Sequence, residues 1–341
     1  MISRLSLNNF KAFEDEIFIL GLLNILSGLN SSGKSSVIQA IRLLKEKKPL
    51  QDLGPLVQYI RSDMKSFSLE CEQVGTMGTE TVLFSYGRDG SIKEKNTLNG
   101  IISYISADRL GPKNSLPLSV DDAIITVGSR GEYIIDFLSR FEKEWTGHQV
   151  PRALIARDGF GIRENIREWL RFISPGIDFE YSSDNNTDTG RTMFNKHRPV
   201  HVGFGLSYTL PVIASILVHA SQLAAKKIES VLLLLENPEA HLHPSGQTKI
   251  GEMLALAASC GVQIIVETHS DHLMNGIRIA IKDKKIHHTD VKSFFFKTGY
   301  WDGKNEDPVT VENLDIDEHG MIDFWPEGFF DETEKNLQRL I

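Results

Sequence analysis

Hydrophobic and polar positions alternate at the start of the chain. Leu5 and Leu7 are separated by Ser6 and flanked by Arg4 and Asn8, the period of a half-buried strand. Leu22 to Leu26 runs into Ser27-Gly28, a strand ending at a turn, and Ser35 to Leu44 carries helix formers up to the charged Lys45-Glu46-Lys47-Lys48. The order is strand, glycine-bearing loop, helix. From Phe67 to Ile92 alternation returns, with Phe67, Leu69 and Cys71 on one face and Ser68, Glu70 and Glu72 on the other. Arg88-Asp89-Gly90-Ser91 has hairpin-turn chemistry, so an antiparallel β region is expected here.

The period changes in the middle of the chain. Ile162, Ile166, Trp169, Leu170 and Ile173 recur at helical spacing, and Tyr133 to Trp145 carries a similar stripe. Asp184 to Arg191 is polar and turn-rich, which predicts a hairpin tip or loop. Val231 to Leu235 and Val262 to Val266 are continuous apolar runs, typical of strands covered on both faces. Helices are expected over Gln247 to Ser259 and near Leu273 to Ile281. The fold class is therefore α/β. Val202 to Ala220 is apolar enough to raise the question of a membrane span, but it contains Gly203, Gly205, Ser207, Pro211 and His219. A buried helix after a glycine-rich turn is expected instead.

Composition narrows the class. The chain has 341 residues, 41% hydrophobic and 24% charged, as an ordinary globular protein does. Two cysteines, Cys71 and Cys260, exclude a disulfide framework and a four-cysteine zinc site, and suit a reducing cytoplasm. A formal net charge of −8 argues against wholesale coating of nucleic acid but permits a local basic groove. No basic leader precedes the apolar stretch from Phe18, which follows Asp15 and Glu16.

Gly28-Leu29-Asn30-Ser31-Ser32-Gly33-Lys34-Ser35 matches G-x-x-x-x-G-K-[ST] without a gap, between a predicted strand and a predicted helix. Such a loop turns consecutive N–H groups toward phosphate oxygens at a helix N-terminus. Lys34 can reach β- and γ-phosphates and the Ser35 hydroxyl can bind Mg²⁺; Asn30, Ser31, Ser32, Gly33 and Ser36 complete the candidate cradle. The motif calls for a nucleoside triphosphate with Mg²⁺.

Two further strand ends carry chemistry. Val231 to Leu235 delivers Glu236 at its tip, followed by Asn237-Pro238-Glu239, the arrangement in which a carboxylate holds Mg²⁺ through its water shell. Val262 to Val266 ends in Glu267-Thr268-His269, and a histidine there can contact a γ-phosphate or orient water. Gly203-Phe204-Gly205-Leu206-Ser207 precedes an apolar helix, and Ser207 can offer a hydroxyl to phosphate.

In this order the motifs resemble the head of ABC-type ATPases, in the branch shared with SMC proteins and OLD-family ATPases. Glu236 to Pro244, ENPEAHLHP, is similar to the E-x-P-E-x-H-L-H-P run of OLD-like prokaryotic ATPases, and Asn9-Phe10-Lys11-Ala12-Phe13 to their opening strand. Val266 to Arg278 and Trp325-Pro326-Glu327-Gly328-Phe329-Phe330-Asp331 look like a prokaryotic subfamily with a C-terminal domain of unknown function. The resemblance implies a P-loop NTPase with an antiparallel β subdomain and a helical insertion. Residues 1–129 form the first part of the head, 130–198 the insertion, 199–285 the second part and 286–341 a C-terminal subdomain.

The resemblance further implies a head-to-tail dimer with each ATP between Lys34 of one chain and the Ser207 turn of the other. Gln51 and Gln58 are both candidates for the glutamine that senses Mg²⁺ and γ-phosphate. One departure stands out. The position that carries a catalytic glutamate in most such heads is Asn237, which cannot accept a proton as a base. Either Glu239 takes that role or hydrolysis is slow and ATP acts as a latch. The expected catalytic residues are Glu236, Glu239 and His269; Gly205 and Ser207 join the nucleotide contacts, and Ser35 and Glu236 hold the metal.

By resemblance, such stand-alone heads serve as partners of a separate effector, a nuclease or toxin, as in anti-phage defence modules of the Septu and retron-associated type. Asp315-Ile316-Asp317 superficially resembles a metal-binding pair, but the partial alternation of Val309 to Leu314 puts these acids on a solvated strand end. No heptad arm and no membrane partner are expected. The alternatives are direct clamping of DNA through Lys196, His197, Arg198, Arg163, Arg167 and Arg171, or a hydrolysis-deficient scaffold.

Overall fold

The computed structural model describes residues 1–50, 53–76, 78–119, 126–144, 150–157, 161–297 and 309–340. The chain divides into two compact units. The first holds residues 1–99, 289–317 and 322–341; the second holds 100–288 and 318–321.

The first unit opens with β1 (Ile2–Phe10), β2 (Phe13–Ile19), β3 (Leu23–Gly28), α1 (Lys34–Glu46), β4 (Ser66–Gly75), β5 (Gly78–Gly87) and β6 (Ile92–Lys95). Five of these strands form an antiparallel sheet in the order β2-β1-β4-β5-β6. The alternation at residues 5–8 and 67–72 has its physical cause in this register. Leu7 lies opposite Leu69, and Leu5 opposite both Phe18 and Cys71, all on the buried face. The β5–β6 turn closes where Asp89 Oδ1 accepts from the Ser91 amide at 3.0 Å and its hydroxyl at 2.7 Å. α1 buries Val37, Ile38, Ile41 and Leu44 and packs on β3, β4 and β5.

The second unit contains β7 (Ile101–Ile105), β8 (Leu116–Pro117), α2 (Ile134–Glu144), α3 (Ile162–Ile173), β9 (Phe179–Asp184), β10 (Thr189–Phe194), α4 (Phe204–Ala224), β11 (Val231–Glu236), α5 (Pro244–Ser259), β12 (Gln263–Glu267) and α6 (Asp271–Lys282). β11 pairs in parallel with β7 on one side and β12 on the other, which accounts for its unbroken apolar run. Glu236 and Glu267 face each other in register, so two of the chemically rich strand ends emerge side by side. β9 and β10 form the hairpin expected around Asp184 to Arg191, and β10 also pairs with β8.

α4 is the helix that raised the membrane question. It is apolar on all sides because it packs against α2, α3, α5, β7 and β11, and 78% of its most apolar window is buried in the protein.

The chain then returns to the first unit with β13 (Val291–Lys297), β14 (Thr310–Leu314) and α7 (Glu332–Leu340). β13 runs parallel to β3 and antiparallel to β14. Phe18 meets Phe294 edge-on at 5.3 Å, and Phe329 of the WPEGFFD segment is buried edge-on to Phe295 at 5.4 Å. These rings tie the C-terminal return to the N-terminal strands.

Candidate functional site

In the first unit, β3 delivers the chain to Gly28, which has φ +138° and lies so close to β13 that a Cβ there would also run into the backbone of Phe296. Ser31 (φ +62°) and Gly33 (φ +97°) are also left-handed, and the Phe13 ring lies 3.0 Å from where a Gly33 Cβ would stand. Three positive-φ residues within six turn the loop sharply ahead of α1, the kind of backbone from which amide nests for anions are built. α1 begins after Gly33 with no side-chain cap and no acid in its first turn. Lys34 is buried, its Nζ donating to the carbonyls of Gly28 (3.1 Å) and Leu29 (2.5 Å), and Ser32 Oγ donates to Leu29 O at 2.7 Å. Asn30 and Ser31 are exposed, and Ser35 and Ser36 half-buried on the first helical turn. A buried cation and an uncapped helix start with no acid in its first turn form a donor set that fits a polyphosphate.

In the second unit, β7, β11 and β12 end at one edge. Glu236 Oε1 accepts from the Tyr104 hydroxyl at 3.1 Å and Oε2 from the Ala107 amide at 3.0 Å. Asn237 has φ +45°, a conformation in which asparagine is tolerated far better than most side chains, and its N–H donates to Glu267 O at 2.8 Å. Glu239 is 5% exposed. Its Oε1 accepts from Thr268 Oγ1 at 2.6 Å and from the His269 amide at 3.3 Å. Its Oε2 is buried and meets no donor among the described residues, and burial pushes the carboxyl's pKa up. Glu239 thus braces the β12 turn from inside, while His269 is exposed at its surface.

Sequence reasoning missed three partners of this edge: Tyr104, Thr268 and Arg109. Arg109 is 1% exposed and donates to the carbonyls of Ser106, Glu236 and Asn237 at 2.9, 2.8 and 2.5 Å. Burial lowers its pKa to about 10, partly offset by Glu239, Tyr208 and Glu236. It follows Asp108 in the short loop after β7, and no spacing announces a contact 127 residues away.

Gly203 precedes α4, and Ser207 lies in its first turn, half-buried and lining a cavity with Lys113, Arg130 and Leu210. Gly205 is required there: the His241 carbonyl lies 2.7 Å from where its Cβ would stand. Gln58 is exposed, and Gln51 lies outside the described residues. Asp315 and Asp317 are both exposed next to β14, and among the described residues no three His, Cys, Asp or Glu side chains gather as metal ligands. Arg163, Arg167 and Arg171 are engaged by Glu142 (2.7 Å), Asp178 (2.9 Å) and Glu168 (2.7 Å), while Lys196, His197 and Arg198 are exposed.

Comparison with solved structures places this fold. It is similar to an SMC head bound to the C-terminal winged-helix domain of ScpA, with a TM-score of 0.58 and 13% identity over 92% of this chain and 98% of that one. An SMC head with an extended coiled coil, bound to the C-terminal domain of ScpA derived from Pyrococcus furiosus, gives 0.59 at 12% over 99% of each chain. The recombination mediator protein RecF with ATPrS gives 0.51 at 14% over 92% of this chain and 98% of that one. At these identities the likeness is one of fold. A comparison with curated proteins finds no match. Residues 286–340 match a family described as a protein of unknown function (DUF3696). Residues 1–108 and 164–274, well over half of the chain, match the AAA ATPase domain model, so the chain belongs to that family and is an ATP-binding P-loop ATPase.

Proposed function

We propose that this ATPase is an ATP-gated switch. It binds Mg·ATP, closes head to tail with a second copy, hydrolyses slowly and thereby controls a separate effector, a nuclease or toxin of prokaryotic anti-phage defence in the cytoplasm. The observation that carries the nucleotide part is the left-handed loop around buried Lys34 at the uncapped start of α1. In this reading Lys34 neutralises the terminal phosphates, with Asn30 to Gly33 and Ser36 lining the cradle. Ser35 and Glu236 hold the cation. Gly205 and Ser207 meet the nucleotide of the second copy, and His269 faces the terminal phosphate or its water. Mg²⁺, when bound, draws charge off the transferring phosphoryl group.

Slow turnover is supported by Asn237, which offers no base where the β11 turn emerges, and by Glu239, which is turned inward to brace Thr268 and His269. Control of a partner protein is supported by the fold: SMC heads of this shape are bound to ScpA in two of the similar structures. Direct clamping of DNA is the weaker reading, since three of the six basic side chains that would line it are held by carboxylates.

The test is phosphate release by the wild type beside Lys34→Ala, Glu236→Gln and Glu239→Gln. Lys34→Ala should abolish turnover; equal turnover for it and the wild type sinks the enzymatic reading. Mass photometry with and without a slowly hydrolysed ATP analogue should show a nucleotide-dependent dimer.

A further inference from the structure

A guanidinium taken out of water must find acceptors for its five N–H donors, because each unmet donor carries a desolvation penalty. Arg109 finds its acceptors entirely in main-chain carbonyls. Nη1 donates to Ser106 and Glu236, and Nη2 to Asn237. Nε finds no acceptor among the described residues. The guanidinium carbon lies 5.1 Å from the centroid of the Tyr208 ring on α4. One planar cation thus touches three segments: the loop after β7, the turn after β11 and the first turns of α4.

These segments have little freedom to part or slide. Besides the Gly205 approach to His241, the Phe204 ring lies 2.6 Å from where a Gly111 Cβ would stand. The Phe204 and Tyr208 rings lie 5.6 and 4.9 Å from the His241 ring. The Glu236 carboxylate is meanwhile held by Tyr104 and by Ala107, the latter two residues before Arg109. Arg109 therefore fixes the backbone from which the Glu236 side chain departs, while its own loop supplies that side chain's hydrogen bonds.

We propose that Arg109 is a positioning residue that locks the start of α4, with Ser207, to the Glu236-Asn237 backbone, so that the two shift as one body. This rests on the reading above, which assigns Ser207 and Glu236 to the nucleotide. Arg109→Lys tests it in the full chain: lysine keeps the charge but loses the planar fork that spans several carbonyls.

Amide hydrogen exchange without nucleotide is the first arm. Ala107 and Asn237 should exchange at least tenfold faster in Arg109→Lys, while Leu232 to Leu234 of β11 keep their rates. Unchanged rates at Ala107 and Asn237, or uniform acceleration throughout, overturns the proposal. Steady-state hydrolysis is the second arm. A kcat reduced tenfold or more, with the KM for ATP within twofold and a raised Mg²⁺ requirement, supports the lock; wild-type kcat and Mg²⁺ dependence overturn it. If Arg109→Lys does not purify, Tyr208→Leu removes the ring beside the guanidinium, read against His241→Leu, which removes that ring's other partner and leaves the guanidinium contact in place. Exchange at Asn237 accelerated threefold or more then supports the link to α4, and no change overturns it. A wild type that takes up no Mg·ATP would sink the functional reading alone, with the exchange arm still deciding the role of Arg109.

Discussion

Thr268 at the end of β12 donates its hydroxyl hydrogen to Glu239 Oε1 over 2.6 Å, and both side chains are buried. The bond ties the turn after β11 to the turn that presents His269. Thr268→Val preserves shape and removes the donor, leaving a buried carboxylate oxygen poorly satisfied. The expected cost is about 1–3 kcal/mol in urea unfolding, with reduced turnover. A variant as stable as the wild type would show that this bond does not brace the site.

Asn237 should limit hydrolysis. Asn237→Glu introduces a carboxylate at a backbone position with φ +45°, where a longer side chain costs about 1–2 kcal/mol. Turnover should nevertheless rise by roughly tenfold or more if a base is what the turn lacks. Phosphate release and an unfolding curve on the same preparation check both halves. Turnover at or below the wild-type level would place the slow step elsewhere.

Gly28 and Gly78 separate two penalties within one unit. Both have strongly positive φ, +138° and +123°, but a Cβ at Gly28 would strike the Phe296 backbone, whereas one at Gly78 meets nothing within 4 Å. Gly78→Ala should cost about 1 kcal/mol of backbone strain. Gly28→Ala should cost about 2 kcal/mol or more and weaken nucleotide binding measured by calorimetry. Equal costs for the two would mean that the β3–β13 approach yields without strain.

His219 makes stability depend on acid. It is fully buried on α4, with Nδ1 3.0 Å from Gln222 Oε1 and its ring 5.5 Å from that of Phe137. Burial pushes its pKa down from 6.5 to about 4. The folded state therefore holds it neutral, and its contribution, complete above pH 6.5, is lost as pH falls toward 4, at up to about 1.4 kcal/mol per pH unit. Glu239 works the other way: its raised pKa makes its contribution fall as pH rises above its ordinary value of 4.5. Comparing wild type with His219→Leu in urea at pH 7.5, 5.5 and 4.5 isolates the histidine. The wild type should lose ground to the variant as pH drops; a constant gap would mean that the ring protonates without penalty.

The strands, helices and turns around each motif were legible in the residue pattern alone. The period of Phe67 to Cys71 and of Ile162 to Ile173, the apolar runs ending at Glu236 and Glu267, and the glycines bracketing the phosphate loop are all set within a few residues along the chain. Local repetition is a consequence of which face is buried, so it can be recognised without knowing what covers it. What those elements meet was set by the folded arrangement. It turned Glu239 inward onto Thr268, engaged Arg163, Arg167 and Arg171 with carboxylates, and wrapped α4 in protein. It also brought Arg109 to carbonyls more than a hundred residues along the chain. Those partners are chosen by chain closure over long separations, where hydrogen-bond geometry and exclusion of water decide and residue spacing carries no signal.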